Sequence, residues 1–371
     1  MAVPHVFPSQ VAFSEGQAQE GSPATLFRLR PTRSFRLTFF NDRFRFPDGA
    51  EHEIWSFEDE TSGRGFPAPL LRLTEGDVLH ATVKPSKGAH TLHWHGIEPD
   101  PRNDGVGHTS FEVTGSYTYQ WIPQRGVAGD PDLGSAGTYF YHCHVNTPLH
   151  VQMGMFGPMV IDPAPDATVP TRPGARRAFV DGPEYDVTTE AIVIPYAVDP
   201  RWHRLGHAAG LAGEDVGLNR FEPDHFYLLG GQLASSRSPG DVAVLTGLTA
   251  RVTDGRPGSP LPTLLRVLNG GYHPTMLRFT DTSGAPARIA EVISHDGRQF
   301  RDTSRPGEPS RPLRDTGHPI VTAMVAFGAA ERYELLLVPT VPGRYVAHVD
   351  WTHWVTGKLL GTRSVPIDVT A

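Results

Sequence analysis

Cys143, the only cysteine in the chain, sits between His142 and His144, with His150 and Met155 downstream and the run His90-Thr91-Leu92-His93-Trp94-His95 upstream. These residue types bind metals: thiolate is a soft ligand, imidazole is intermediate and thioether is weak. On an extended strand, alternate side chains share a face. His93 and His95 would therefore point together, as would His142 and His144, with Cys143 pointing the other way. Two such strands side by side would present four imidazoles to one spot. A cysteine with two histidines and a weak methionine is the ligand set of a blue-copper electron-transfer site, and His90, Cys143, His150 and Met155 are assigned to it. The remaining imidazoles suit a second copper site that handles oxygen. Cys143 is bonded directly to His142 and His144, a short covalent path between the two. Each residue taken singly would read as core packing or a surface group; the concurrence points to copper. Met153 is the alternative axial ligand, and the offset from His150 favours Met155. Zinc is the alternative metal, but a closed zinc site has no need of the thioether.

These side chains have to be placed by strands. Glycine (39) and proline (35) make up a fifth of the 371 residues, which disfavours a helical bundle and favours short strands joined by turns. Residues 1–25 read as a tail. Strands are expected at Pro69–Leu73, Val78–Val83, Tyr117–Trp121, Thr138–Tyr141 and Pro158–Ile161 in a first domain spanning 26–163. Residues 164–188 are proline-rich and read as a linker. A second domain, 189–371, has strands at Glu190–Ile194, Thr263–Leu268 and Glu334–Val338, with a short helix expected between Val198 and Pro262. The halves also resemble each other. Gly137–His144 lines up with Gly343–Asp350, and His90–His95 with His273–Arg278. The fold class is all-β, two β-sandwich domains related by duplication.

Composition excludes several classes. A net charge of −7 argues against a nucleic-acid partner. One cysteine rules out an intrachain disulfide, and no apolar run is long enough to span a membrane. The first 20 residues carry neither a basic n-region nor an apolar h-region. That predicts a cytoplasmic location for a chain that starts here, and a periplasmic or secreted one for a chain already trimmed of its leader.

The pair His90-x-x-His93-x-His95-Gly96 and His142-Cys143-His144…His150…Met155 resembles the multicopper oxidases, the laccase family, and their relatives the copper nitrite reductases. Glu75-Gly76-Asp77, Asp104-Gly105-Val106, Ser116–Tyr119 and Ala136–Tyr139 add weaker matches in the first domain. Phe221–Phe226, Arg266–Asn269, His295-Asp296-Gly297 and Pro342–Tyr345 do so in the second. The resemblance implies two Greek-key cupredoxin domains. It implies type 1 copper at His90, Cys143, His150 and Met155, and type 2 and type 3 ligands in His93, His95, His142 and His144. It also implies a proton-relaying acid at Asp104, for which a plain turn residue before Gly105 is the competing reading. A two-domain chain with type 1 copper in its first domain resembles the trimeric laccases, which implies a homotrimer with the second copper site between chains.

The second domain departs from the pattern. Met276 and Arg278 stand where histidines are expected, Val349 replaces the cysteine, and Asp350 replaces the following histidine. His348 is the favoured second-domain ligand, ahead of His273, His353 and the pair His203 and His207. Arg278 would repel a copper ion and could hold Asp350 in an ion pair. The leading reading is an oxidase that draws electrons from a small organic reductant and reduces dioxygen. Nitrite reduction on the same fold is the alternative, disfavoured because nitrite reductases place an aspartate where His93 stands. A copper-binding electron carrier without turnover is the third reading, kept open by the eroded second domain.

Overall fold

Side-chain alternation builds the first sheet. In β4 (Leu79–Lys84), Leu79, Ala81 and Val83 are buried while the residues between them are more accessible. The computed structural model describes residues 29–107, 109–206, 221–234, 241–256, 258–305 and 307–371. The expected N-terminal tail and His207 lie outside them. The chain is 46% strand against 7% helix.

In the first domain, β1 (Arg33–Arg45), β2 (Glu51–Asp59), β4 and β6 (Tyr117–Trp121) form a sheet in the order β2-β1-β4-β6. The facing sheet has the order β3-β8-β7-β5, from β3 (Leu71–Thr74), β5 (His93–His95), β7 (Gly137–His142) and β8 (Phe156–Asp162). Leu37, Phe57, Leu79, Trp94, Tyr119, Tyr141 and Ile161 fill the space between them. This is a sandwich of two sheets, each hiding one face.

The stretch read as a linker carries a two-stranded ribbon, β9 (Ala175–Arg177) and β10 (Glu184–Asp186). Glu184 ties it down by accepting from Arg172 at 2.5 Å and Arg177 at 3.3 Å.

The second domain is a larger sandwich. One sheet runs β12-β11-β14-β22-β16-β17, from β11 (Ala191–Val198), β12 (His225–Gln232), β14 (Thr263–Leu268), β16 (Ala290–His295), β17 (Arg298–Gln299) and β22 (Arg332–Leu337). The other runs β13-β24-β23-β15-β21, from β13 (Leu248–Arg251), β15 (Thr275–Asp281), β21 (Met324–Phe327), β23 (Gly343–Thr352) and β24 (Leu359–Thr370). The expected short helix is Pro200–Leu205. No helix among the described residues is long and apolar enough to cross a membrane.

Strand pairing corrects the internal alignment. In the first domain His93 lies opposite His142 and His95 opposite Phe140. In the second, Met276 lies opposite Asp350 and Arg278 opposite His348. With His273–Arg278 aligned to His90–His95, Asp350 therefore takes the place of His142, and His348 that of Phe140. A slip of two residues leaves every side chain on its original face, so the apolar pattern cannot reveal it.

Candidate metal centres

Among the described residues, two groups of ligand atoms converge, one on either side of the end of β7. The first is His90, Cys143 and His150; the second is His93, His95 and His142. Within each group the donor atoms lie within 4.8 Å of one another.

In the first group both imidazoles present Nδ1 to the thiol, at 3.5 Å from His90 and 3.1 Å from His150. His90 is fixed by paired backbone bonds to Val113 and by stacking on Phe39 at 4.3 Å. His150 comes from α2 (Thr147–Met153), which Gly154 ends at φ 112°, a left-handed cap that glycine adopts without strain. Met155 joins the group through its backbone: its N–H donates to the His150 carbonyl at 2.8 Å, and its own carbonyl accepts from Cys143 N–H at 3.1 Å. Met153 is buried as well. Trp55 lies edge-on to His150 at 5.6 Å.

In the second group, His95 Nδ1 is 3.4 Å from His142 Nε2. The His93 ring lies 5.9 Å from His95 and 5.1 Å from His142, centre to centre. His144 stands at the rim, 5.2 Å from His93 and 5.7 Å from His142, with its backbone N–H held by Thr91 Oγ1 at 2.8 Å.

Hydrogen bonds choose the tautomers. His93 Nδ1–H donates to the Asp104 carbonyl at 2.8 Å, and His142 Nδ1–H to the Cys143 carbonyl at 3.0 Å. Nε2 of each ring is left as the lone-pair donor, the usual way a second layer orients a metal-binding imidazole. The Asp104 carboxylate also faces His93, Oδ1 to Nδ1 at 3.3 Å. Asp104 ends α1 (Pro101–Asp104), which is tied to the site because Trp94, between the two histidines of β5, donates to the Asn103 carbonyl at 3.0 Å. Asp104 thus stands at a helix end before the turn at Gly105 and lies beside His93.

Burial keeps His95, His142 and Cys143 neutral. His95 is pushed down to about 4, by burial first and then by the nearby Arg332 guanidinium. His142 lies well below its ordinary value for the same first reason, and burial pushes the Cys143 thiol up to about 12. A metal taking the thiolate must therefore displace a proton. Imidazole lone pairs kept free, together with a soft sulfur shielded from water, fit copper.

Among the described residues, the second-domain candidates His348, His273, His353 and His203 are not brought to either group. His348 Nε2 and Nδ1 bond to the Thr280 and Ser364 hydroxyls at 3.0 and 2.7 Å. His273 and His353 sit 6.1 Å apart, ring to ring, elsewhere in the second domain. His203 is held between the Glu53 carbonyl and Gln152. Arg278 does hold Asp350, Nε to Oδ2 at 2.6 Å.

Sequence reasoning missed Thr91, which anchors His144, and Arg332 and Glu334, which reach the first domain from β22. A signal for the last two was present: charged residues at alternate positions of an otherwise apolar strand need buried partners.

Residues 42–166 match the family model of the multicopper oxidases. Copper resistance protein A of Pseudomonas syringae pv. tomato is 40% identical over 102 residues, 26% of this chain and 15% of that protein. The chain thus spans about a sixth of the length of the curated relatives it matches. The blue copper oxidase of Nitrosomonas europaea superposes with a TM-score of 0.57 at 21% identity, covering 91% of this chain and 86% of that one. Copper nitrite reductase from the same organism superposes with a TM-score of 0.53 at 16% identity, covering 91% and 94%. At these identities the superpositions establish the fold.

Proposed function

We propose, from a first domain that belongs to the multicopper oxidases, that the chain is a copper-dependent, laccase-like oxidoreductase taking electrons from a small organic reductant and reducing dioxygen. The observation that carries this reading is the two ligand groups joined through consecutive residues, His142 of one and Cys143 of the other. His90, Cys143, His150 and Met155 would hold the type 1 copper. His93, His95, His142 and His144 would hold the type 2/type 3 site. Copper bound there would take electrons singly from the reductant at the first group and supply them to dioxygen at the second.

The chain's own residues do the rest. The sandwich core keeps water from Cys143 Sγ, which is fully buried. The Asp104 carbonyl fixes His93 as an Nε2 donor, and its carboxylate, accessible enough to exchange with solvent, can take up and release a proton at Oδ1. An imidazole at position 93, in place of an acid, favours oxygen over nitrite as acceptor. At the second site, His93, His95 and His142 would be joined by His144 from the rim as the fourth imidazole of this chain. We propose a homotrimer in which a neighbouring chain's second domain completes it, with His348 as the imidazole offered. To bind metal, His348 must release one hydroxyl bond.

Copper counting per chain with electron paramagnetic resonance, beside oxygen uptake with a phenolic donor, tests the reading. A type 1 signal plus further copper, with uptake, is expected. His95→Ala should stop uptake and keep the blue colour. A single copper per chain and no uptake would leave the electron carrier; uptake that survives in His95→Ala would misplace the oxygen site. Light scattering that finds a fully active monomer would refute the trimer.

A further inference from the structure

Met276 and Arg278 of the second domain stand where the resemblance implies histidines, yet β22 reaches both strands that carry the second ligand group. β5 ends opposite Phe140. The next backbone groups on that edge of β7 belong to Thr138, because outward groups alternate along an antiparallel strand. Two side chains of β22 occupy them. Glu334 Oε1 accepts from Thr138 N–H at 2.5 Å, and Arg332 Nε donates to the Thr138 carbonyl at 3.4 Å. Positions 332 and 334 share a face of their strand, so one face of the second domain stands in for a missing neighbour of β7.

Both side chains are fixed from behind. Glu334 is fully buried, bonded by the Ser294 hydroxyl and 3.6 Å from Arg266, which also donates to Thr138 Oγ1 at 3.0 Å. Arg332 pairs with Asp296 at 3.0 Å, donates to the Ala330 carbonyl at 2.9 Å and lies over the Tyr139 ring at 5.8 Å. Its guanidinium also lies against Gly96, the residue after His95, where φ is +93° and any Cβ would overlap the Arg332 side chain. The brace thus bears on His142 through β7 and on His95 through β5.

We propose that Arg332 and Glu334 are positioning residues that hold His95 and His142 at metal-binding separation, and that this brace is a retained role of the second domain within its own chain. The inference rests on the copper reading for the identity of the metal; the mechanical claim stands without it. Arg332 and Glu334 act on the strands that carry the second group, and the contacts above run to neither His90 nor His150. A substitution there should separate the two sites.

The test compares Arg332→Gln, Arg332→Lys, Glu334→Gln and Gly96→Ala with the unaltered full chain. In copper-loaded protein, Arg332→Gln should release copper from the histidine group to a chelator at least about tenfold more readily, the scale of losing an outer partner of a metal ligand. Its type 2 paramagnetic signature should change while the blue absorption keeps its intensity. Gly96→Ala, which displaces the guanidinium from the opposite side, should reproduce this, and Arg332→Lys should recover part of it. In copper-free protein, hydrogen exchange at Thr138 and Phe140 should speed up in Arg332→Gln and Glu334→Gln, and His95 and His142 ring resonances should shift. Unchanged retention and unchanged exchange in Arg332→Gln would overturn the brace. Equal loss from both copper groups would also overturn it, since that marks general destabilisation. Faster exchange in these variants, with an unaltered chain that binds no copper at all, would uphold the brace and overturn the copper reading.

Discussion

Asp104 meets His93 twice: its carbonyl oxygen takes the ring Nδ1–H at 2.8 Å, and its carboxylate Oδ1 lies 3.3 Å from the same nitrogen. The carbonyl orients the ring, and the proton handling proposed for Asp104 would fall to its carboxylate. The first survives any substitution that keeps the backbone.

Asp104→Ala therefore separates the two. The carbonyl still sets the tautomer, so copper content should stay at the wild-type level. Oxygen uptake should fall by about 10²-fold, the usual scale for losing a positioned acid or base. Measuring both on one preparation decides it, because copper lost in step with activity would make the carboxylate a structural group.

Cys143→Ser should give a colourless protein that remains folded. The blue colour requires a thiolate on copper, while the core is built from many other side chains around it. Visible absorption and urea denaturation are the two measurements. A blue serine variant would remove Cys143 from the type 1 site.

Acid should destabilise the copper-free protein as pH falls from about 6.5 toward 4. His52, His95 and His273 are each pushed down to about 4 by burial first, against 6.5 in the unfolded chain. The unfolded state therefore binds protons that the folded state refuses. The stability these groups contribute is complete above 6.5 and is lost as pH falls toward 4. The slope is about 1.4 kcal/mol per pH unit for each histidine. Urea midpoints at about pH 7 and about pH 5 should differ accordingly. A flat or rising midpoint on acidification would mean that these rings are charged in the folded protein.

Gly105→Ala tests the turn that places Asp104. Gly105 has φ +76°, and a Cβ there would overlap the Leu92 carbonyl and approach His93 N to 2.8 Å. A strained backbone of this kind costs about 1–3 kcal/mol, and relief would have to come from moving β5. Urea denaturation should show a loss on that scale, together with weaker copper retention at the histidine group. A variant as stable as wild type would show that the turn yields without disturbing His93.

The candidate ligands were legible because they are local. Cys143 next to His142 and His144, and His93 two residues from His95, declare their chemistry through type and period, which any strand would express. The all-β class followed from the same short apolar runs and their turns. Tertiary structure decided what spacing along the chain cannot encode. His93, His95 and His142 close into one group while His144 stands at its rim, because β5 and β7 pair through His93 and His142. The counterpart of His142 is Asp350 and not His348, because β15 and β23 pair two residues away from the sequence alignment. A slip of two preserves which face each residue occupies, so burial patterns are blind to it. The Thr138 clamp joins positions 194 and 196 residues apart. Charged side chains on β22 signal that buried partners must exist; only the docking of the two domains could say that the partner is the strand carrying the candidate ligand His142.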